Sequence, residues 1–558
     1  MVVMENGIDR VFSFPCGIKY IGNDVGKNSA KFEESRTGVL LFSTFQNRPL
    51  CYVLSTFTPN PTAIKKGKWL TFKNSSKYSI SVVLKVSKKY QTVFGSPVIA
   101  WECKDFEQQQ KAIFKPKLDW NMSSNGSDKV ENEPTILSWF ILYQLDANEM
   151  SKLDFDKLRC QASSLCTDFH IRTGQPIETR SYPFGPDIME IFTSAVSTGI
   201  ISNVSLDKSL FLIDARCLPG SEGGSVITLV SHKLVGIIVA PLCWKNQELV
   251  GFSVCCSVQS IFSSLQNVLQ SNPINDDVRI LVISCLKAFK DNQLLPSKNK
   301  GPTVVRIDVA GIWGSGVVVA ATKKKNLCEV TIVTCRHVVE NAIGRNHVKI
   351  SVIFENGKSY IGKLLFASDE ASAYDLAILN VEIDRSSTEN LCLKQMHEYE
   401  LANGRQIFMI PYSKHFSKGS PIHVKGYPLF DVDIDLGATV CSGVLSNISY
   451  NNADAPILLH STCLVHRGSS GGGLICSVTG ELQGIVVNHV KDENCNVSYP
   501  DVNFSIPCNV FMPVVLDYLL SQGRDLNSLN CYDNDIVRAW NMEPSHLDDR
   551  EPKIKSKL

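Results

Sequence analysis

Short runs rich in Val, Ile and Leu, broken at close intervals by Gly, Ser, Asn and Asp, recur along most of the chain. That pattern predicts an all-β protein built of barrels or sandwiches. Three stretches instead carry apolar residues at helical spacing. Residues 260–270 form one. Residues 276–290 form the second, with Val278, Leu281, Val282, Cys285, Leu286 and Phe289 on one face. The third is 513–521, where Pro513 suits a first helical turn and Gly523 a C-cap. The stretch 295–302, Leu-Pro-Ser-Lys-Asn-Lys-Gly-Pro, reads as a linker, which places a domain boundary near residue 300. The polar stretch 104–134 reads as a mobile surface insertion in the first half.

The two halves repeat one another. Gly199-Ile200-Ile201-Ser202-Asn203-Val204-Ser205 is answered by Gly443-Val444-Leu445-Ser446-Asn447-Ile448-Ser449, with Tyr182-Pro183 ahead of one and Tyr427-Pro428 ahead of the other. Gly220-Ser221-Glu222-Gly223-Gly224 is answered by Gly468-Ser469-Ser470-Gly471-Gly472. From Glu222 to Gly236 and from Ser470 to Gly484 the spacing is the same 14 residues. Phe252-Ser253-Val254 and Phe504-Ser505-Ile506 close the series. Blocks in one order at matched spacing indicate an internal duplication.

Composition narrows the chemistry. The 558 residues are 44% hydrophobic and 20% charged with mean hydropathy near zero, which are globular proportions. The net charge of +1 gives no basic field for nucleic acid. No apolar run reaches the roughly 18 residues of a membrane span, and the amino terminus lacks the form of a signal peptide, so a soluble, non-secreted protein is expected. The 19 cysteines, odd in number and without a secretory signal, read as reduced and mostly buried. There is no Cys-x-x-Cys, no zincin helix around His397-Glu398 and no phosphate loop, so neither metal nor cofactor is expected.

The sharpest chemical signal is the Gly-Ser cluster at 468–472. A serine nucleophile needs a tight turn and two backbone N–H groups aimed at a developing oxyanion, here those of Gly468 and Ser470. Upstream, a β-rich run ends in Thr334-Cys335-Arg336-His337, and Tyr374-Asp375 precedes another apolar run. His337, Asp375 and Ser470 thus occur in the order base, orienting acid, nucleophile, at gaps of 38 and 95 residues. A purely peptide-binding scaffold made of two protease-like domains is the alternative. A cysteine hydrolase is disfavoured because no Cys holds the nucleophile position and Cys335 shares a strand with His337, away from the turn.

On the residues Val333 to Val338, Asp375 to Leu379, Gly468 to Gly472, Thr479 to Ile485 and Asn503 to Pro507, the second half resembles the chymotrypsin-fold serine proteases, nearest the HtrA/Deg branch. The resemblance implies tandem double β-barrel domains, each closed by a C-terminal helix: 1–300, degenerate; 301–523, catalytic; then a tail, 524–558, too short for the PDZ module of typical Deg proteases. The base of the primary pocket would be Leu464, with no Asp to select Lys or Arg. Val487, Asn488 and Ser505 would complete a small, mostly apolar pocket that suits Cys.

The first half keeps the frame without the chemistry. Glu222 stands at the Ser470 position, Thr58 at that of His337, and the strand matching 374–378 offers no Asp. Glu222 reads as a surface-loop carboxylate. The chain ends in Ser556-Lys557-Leu558, the tripeptide read by the peroxisomal import receptor. Together with the tandem arrangement, that ending resembles the peroxisomal Deg-type processing proteases. This implies removal of presequences from imported matrix enzymes, processing of β-oxidation enzymes, cleavage after Cys, self-association and self-cleavage. Cys103, at the head of the expected insertion, is the candidate self-cleavage site.

Overall fold

The computed structural model describes residues 11–22, 35–45, 48–59, 69–72, 78–114, 120–122, 137–165, 171–184, 192–244, 248–271, 276–287, 301–323, 327–345, 347–384, 391, 396–400, 405–430, 437–492, 497–521 and 525–542. Strands dominate, and the fold is the all-β, chymotrypsin-like double barrel. The chain separates into two compact units. One is Met1–Ser297 with Phe430–Val440, and the other is Lys298–Leu429 with Cys441–Leu558. The inclusion of 430–440 in the first unit has no counterpart in the repeat pattern.

In the second unit an eight-stranded sheet is followed by a closed six-stranded barrel. Antiparallel neighbours joined by short connections give each strand one face toward the core. There Val317, Val319, Val330, Ile332, Ile378 and Val381 are all but inaccessible to solvent. At roughly 25 cal/mol per Å² of apolar area removed from water, this interior supplies the main driving force for folding. The first unit carries a fifteen-stranded sheet with two core clusters, one around Phe14, Leu40, Val53 and Ile141 and the other around Ile177, Ile201, Phe211 and Ile238.

Helices follow the last strand of each half, Val258–Ser271 and Cys508–Leu520. The latter starts five residues before Pro513, so the proline lies inside the helix rather than in its first turn. Cys508, Phe511, Met512 and Val515 bury their side chains, and that packing outweighs the backbone hydrogen bond a proline forfeits. The helix expected over 276–290 is observed as Asp276–Lys287, with 288–290 outside the described residues.

Two sequence expectations are corrected. The insertion is not loop throughout: Lys104–Ile113 is an α-helix that buries Phe106, Gln110 and Ile113. The Gln110 amide exchanges hydrogen bonds with the backbone of Leu137 at 2.9 and 3.0 Å. Its mostly polar sequence hid this helix, since only three of its ten side chains, one of them the polar Gln110, reach the core. Nor is the segment after 523 a free tail. Leu526, Leu529 and Ile536 join the core of the second unit, and Asn534–Trp540 is a helix capped by Asp533. None of the described cysteines forms a disulfide, and all but Cys160, Cys217, Cys476 and Cys531 are buried.

Candidate active site

Strand pairing brings the imidazole and the carboxylate together. Strand Leu327–Thr334 runs antiparallel to Ala377–Asp384, with Thr334 opposite Ala377. His337 lies three residues beyond one end of that pair and Asp375 two before the other, so both fall at the same edge. A single helical turn, Arg336–Val339, carries His337 across. Its Nδ1 lies 2.5 Å from Asp375 Oδ2, and its backbone N–H donates to Oδ1 at 3.0 Å. An ionised carboxylate only accepts, which places a proton on Nδ1, so that in the neutral ring Nε2 is the nitrogen left to act as base. Burial tends to raise the Asp375 pKa, but hydrogen bonds and charge from His337, with the Arg336 backbone N–H, hold it below the usual aspartate value.

The turn carrying Ser470 is braced from the strand Ile312–Lys323. Ser315 N–H donates to the Ser470 carbonyl at 2.8 Å, and Ser315 Oγ donates to the Gly468 carbonyl at 2.7 Å. Ser315 Oγ also accepts from the Tyr427 N–H at 2.8 Å. Thr334 Oγ1, three residues before His337, donates to the Ser315 carbonyl at 2.6 Å. A Cβ on Gly314 would lie 3.1 Å from the Ser470 carbonyl oxygen and 2.5 Å from Val338, the neighbour of His337. Ser470 and the histidine turn therefore face each other across one glycine.

Gly468 and Gly471 have φ of +93° and +83°. A side chain on Gly471 would overlap the Ser315 carbonyl and Thr334 Oγ1, so only glycine permits so close an approach. Gly471 N–H donates to the Val486 carbonyl and Gly472 N–H to that of Ser469, each at 2.8 Å. The N–H groups of Gly468 and Ser470 have no hydrogen-bond partner among the described residues. Two unspent donors on one turn form an anion-binding nest.

Of the expected pocket residues, Leu464 is half-buried, Val487 and Ser505 are buried and Asn488 is exposed. Ser505 Oγ is buried without a hydrogen-bond partner among the described residues. Asn503, which the sequence offered as part of the 503–507 motif without a role, is fully buried. Its amide donates to the Cys463 carbonyl at 2.7 Å and its Oδ1 accepts from Ser461 Oγ at 2.6 Å. The pairing of His489 with Asn503 ties that bridge to the strand of Val487 and Asn488.

One trio of side chains among the described residues has metal-ligand spacing: Cys335, His337 and Asp375. The Cys335 thiol is fully buried, donates to the Val486 carbonyl at 3.3 Å, and is pushed by burial well above an ordinary thiol pKa. A neutral, sequestered thiol is neither a metal ligand nor a nucleophile. Behind Asp375, Ala373 N–H donates to the Cys531 carbonyl at 2.7 Å and Asp369 N–H to Asn530 Oδ1 at 2.8 Å. The Tyr374 ring meets Trp540 edge-on with centroids 6.1 Å apart. Only an isolated Tyr-Trp pair 166 residues apart in sequence hints at this contact.

Cys103 is fully buried at the start of the 104–113 helix, so the folded protein does not present it as an exposed cleavage point. Ser556, Lys557 and Leu558 lie outside the described residues.

A double barrel with these signatures is a trypsin-like serine endopeptidase, and the trypsin-like peptidase domain family matches residues 314–485. The peroxisomal leader peptide-processing protease of Homo sapiens is 31% identical over 426 residues, 74% of this chain and 67% of the human protein. That of Mus musculus is 31% identical over 427 residues, covering 74% and 68%. The chain belongs to this family of peroxisomal proteases. A solved HtrA-type protease with a tripeptide covers 40% of this chain and 62% of its own, at 18% identity and a TM-score of 0.28. No helix among the described residues is long and apolar enough to cross a membrane. Membership of a protease family removes the purely peptide-binding scaffold as a reading.

Proposed function

We propose that Ser470, His337 and Asp375 are the catalytic triad and that the chain removes targeting presequences from imported peroxisomal matrix proteins, including enzymes of β-oxidation. Ser470 Oγ attacks the scissile carbonyl while His337 Nε2 takes its proton. Asp375 holds the imidazole in the tautomer that leaves Nε2 basic and stabilises the cation that forms. The N–H groups of Gly468 and Ser470 receive the oxyanion, and His337 returns the proton to the leaving amine. Water then attacks the acyl-enzyme by the same route. The observation carrying this reading is the 2.5 Å imidazole–carboxylate contact beside a turn with two unspent donors.

The relatives' names support the substrate class. Cleavage after Cys accords with a pocket of Leu464, Val487, Asn488 and Ser505, which has no acidic residue at its base to attract Lys or Arg. Import through the receptor that reads Ser556-Lys557-Leu558, self-association and self-cleavage complete the reading, with the position of self-cleavage unassigned. Ser470→Ala should lower turnover of a presequence peptide by roughly six orders of magnitude and abolish fluorophosphonate labelling. Full activity in that variant would sink the assignment. Mass spectrometry of products from a peptide library tests the preference for Cys.

A further inference from the structure

The first unit contains a second copy of the anion-binding turn, and its occupant is part of the chain. Glu222, expected at the surface, instead folds its carboxylate back so that the Gly220 N–H donates to Oε2 at 2.7 Å. Glu222's own backbone N–H also donates to the carboxylate, and the positive charge of Arg36 acts on it. These two N–H groups correspond to those of Gly468 and Ser470, which are unspent in the second unit. Arg36 in turn donates from Nη2 to Thr58 Oγ1 at 3.1 Å, at the position where the second unit has its histidine.

The turn itself is not a relic. Gly220 and Gly223 both have φ of +88°. Thr37 N–H donates to the Glu222 carbonyl at 3.2 Å, and Thr37 Oγ1 donates to the Gly220 carbonyl at 2.7 Å. The side chain that replaced the nucleophile therefore reaches a site with its donors still aimed.

We infer that the first unit keeps a functional oxyanion-binding nest and that the Glu222 carboxylate is its built-in ligand, closing the site to a peptide carbonyl or a free carboxylate. The ligand class is a carboxylate, recognised by two backbone N–H groups and the Arg36 guanidinium. Burial raises the Glu222 pKa, against the pull of its own N–H, the Gly220 N–H and Arg36.

The test is acetate rescue of Glu222→Ala in the full-length protein, because alanine plus acetate restores the atoms of a glutamate side chain. The variant should melt about 3–8 °C below the parent. Acetate should recover most of that loss saturably, while chloride at equal ionic strength does not. Saturation-transfer NMR should give a stronger acetate methyl signal on the variant than on the parent, because the open turn at Gly468 and Ser470 contributes equally to both. A parental Tm, or an identical acetate response in both proteins, would overturn the inference. Should the alanine variant not fold, Glu222→Gln serves. It keeps an accepting oxygen, so a smaller Tm loss and no acetate signal beyond that of the parent are expected, and an acetate signal above the parent's or an unchanged Tm counts against the inference.

Discussion

The two Gly-Ser turns differ by one side chain in the middle of an otherwise matched frame. Ser55 Oγ donates to the Thr37 carbonyl at 2.7 Å where Thr334 Oγ1 donates to that of Ser315 at 2.6 Å. Tyr182 N–H reaches Thr37 Oγ1 at 2.9 Å where Tyr427 N–H reaches Ser315 Oγ at 2.8 Å. Gly223 N–H bonds the Ile238 carbonyl where Gly471 N–H bonds that of Val486, both at 2.8 Å. Ser55 sits opposite Ile141 as Thr334 sits opposite Ala377, so Trp139 falls where Asp375 stands. The scaffold of a protease turn is thus separable from its chemistry. The bracing hydroxyls and glycines are common to both turns, while Thr58, Trp139 and Glu222 stand where the other half has His337, Asp375 and Ser470.

The largest expected effect falls on the pair that only one half possesses. Asp375→Asn should preserve the fold and lower kcat by roughly four orders of magnitude, because an amide holds the wrong imidazole tautomer. Steady-state kinetics on a presequence peptide measures it. A fall of tenfold or less would mean that the second half does not depend on the acid that the first half lacks.

Next come the glycines that both halves share. A Cβ on Gly471 or on Gly223 would overlap a backbone carbonyl, that of Ser315 or of Thr37. Both have positive φ as well, so Gly471→Ala and Gly223→Ala should each lower Tm. Gly471→Ala should in addition reduce kcat by about 10²–10³, the scale of a lost oxyanion donor. Equal kinetic losses in both variants would show that the two turns are not chemically distinct.

A smaller effect is expected from the strap behind Asp375. Trp540 packs on Tyr374 and donates from Nε1 to the Ile457 carbonyl at 3.3 Å. Trp540→Ala removes support from the loop that positions the carboxylate, and kcat should fall by about tenfold with KM little changed. Trp540→Phe, which keeps an edge-on ring, should recover most of the rate. Kinetics that move KM instead would place the strap in substrate binding.

How much of this was legible in the sequence follows physical range. The duplication, the order of His337, Asp375 and Ser470 and the Gly-rich turn are local patterns, each with its own stereochemical reason, and they could be read directly. The acetate-like posture of Glu222 could not, because a side chain folding back onto its own turn leaves no periodicity. The bracing roles of Ser315, Thr334 and Asn503 were missed for a related reason. They are buried hydroxyl and amide groups whose partners lie 19 to 153 residues away. The strap at 525–541 looked like tail because its apolar residues are sparse, although Leu526, Leu529 and Ile536 suffice to anchor it.

The smallest effect sharpens the comparison through pH. Asp375 is held below its ordinary value by His337, whereas burial pushes Glu222 above its own. For Asp375 the folded state binds the proton less tightly than the unfolded state. Its contribution to stability is therefore complete above the unfolded aspartate value and is lost as pH falls through the depressed folded one. For Glu222 the sign reverses. The contribution is complete below the unfolded glutamate value and declines as pH rises toward the raised folded value. Asp375→Asn should consequently flatten the fall in Tm below about pH 4, and Glu222→Gln should remove a shallow decline just above about pH 4.3. Thermal melts of the two variants against the parent across that range would separate the limbs. Identical profiles for both substitutions would mean that the two carboxyl groups, one paired with an imidazole and one with an N–H of its own turn, share a single environment after all.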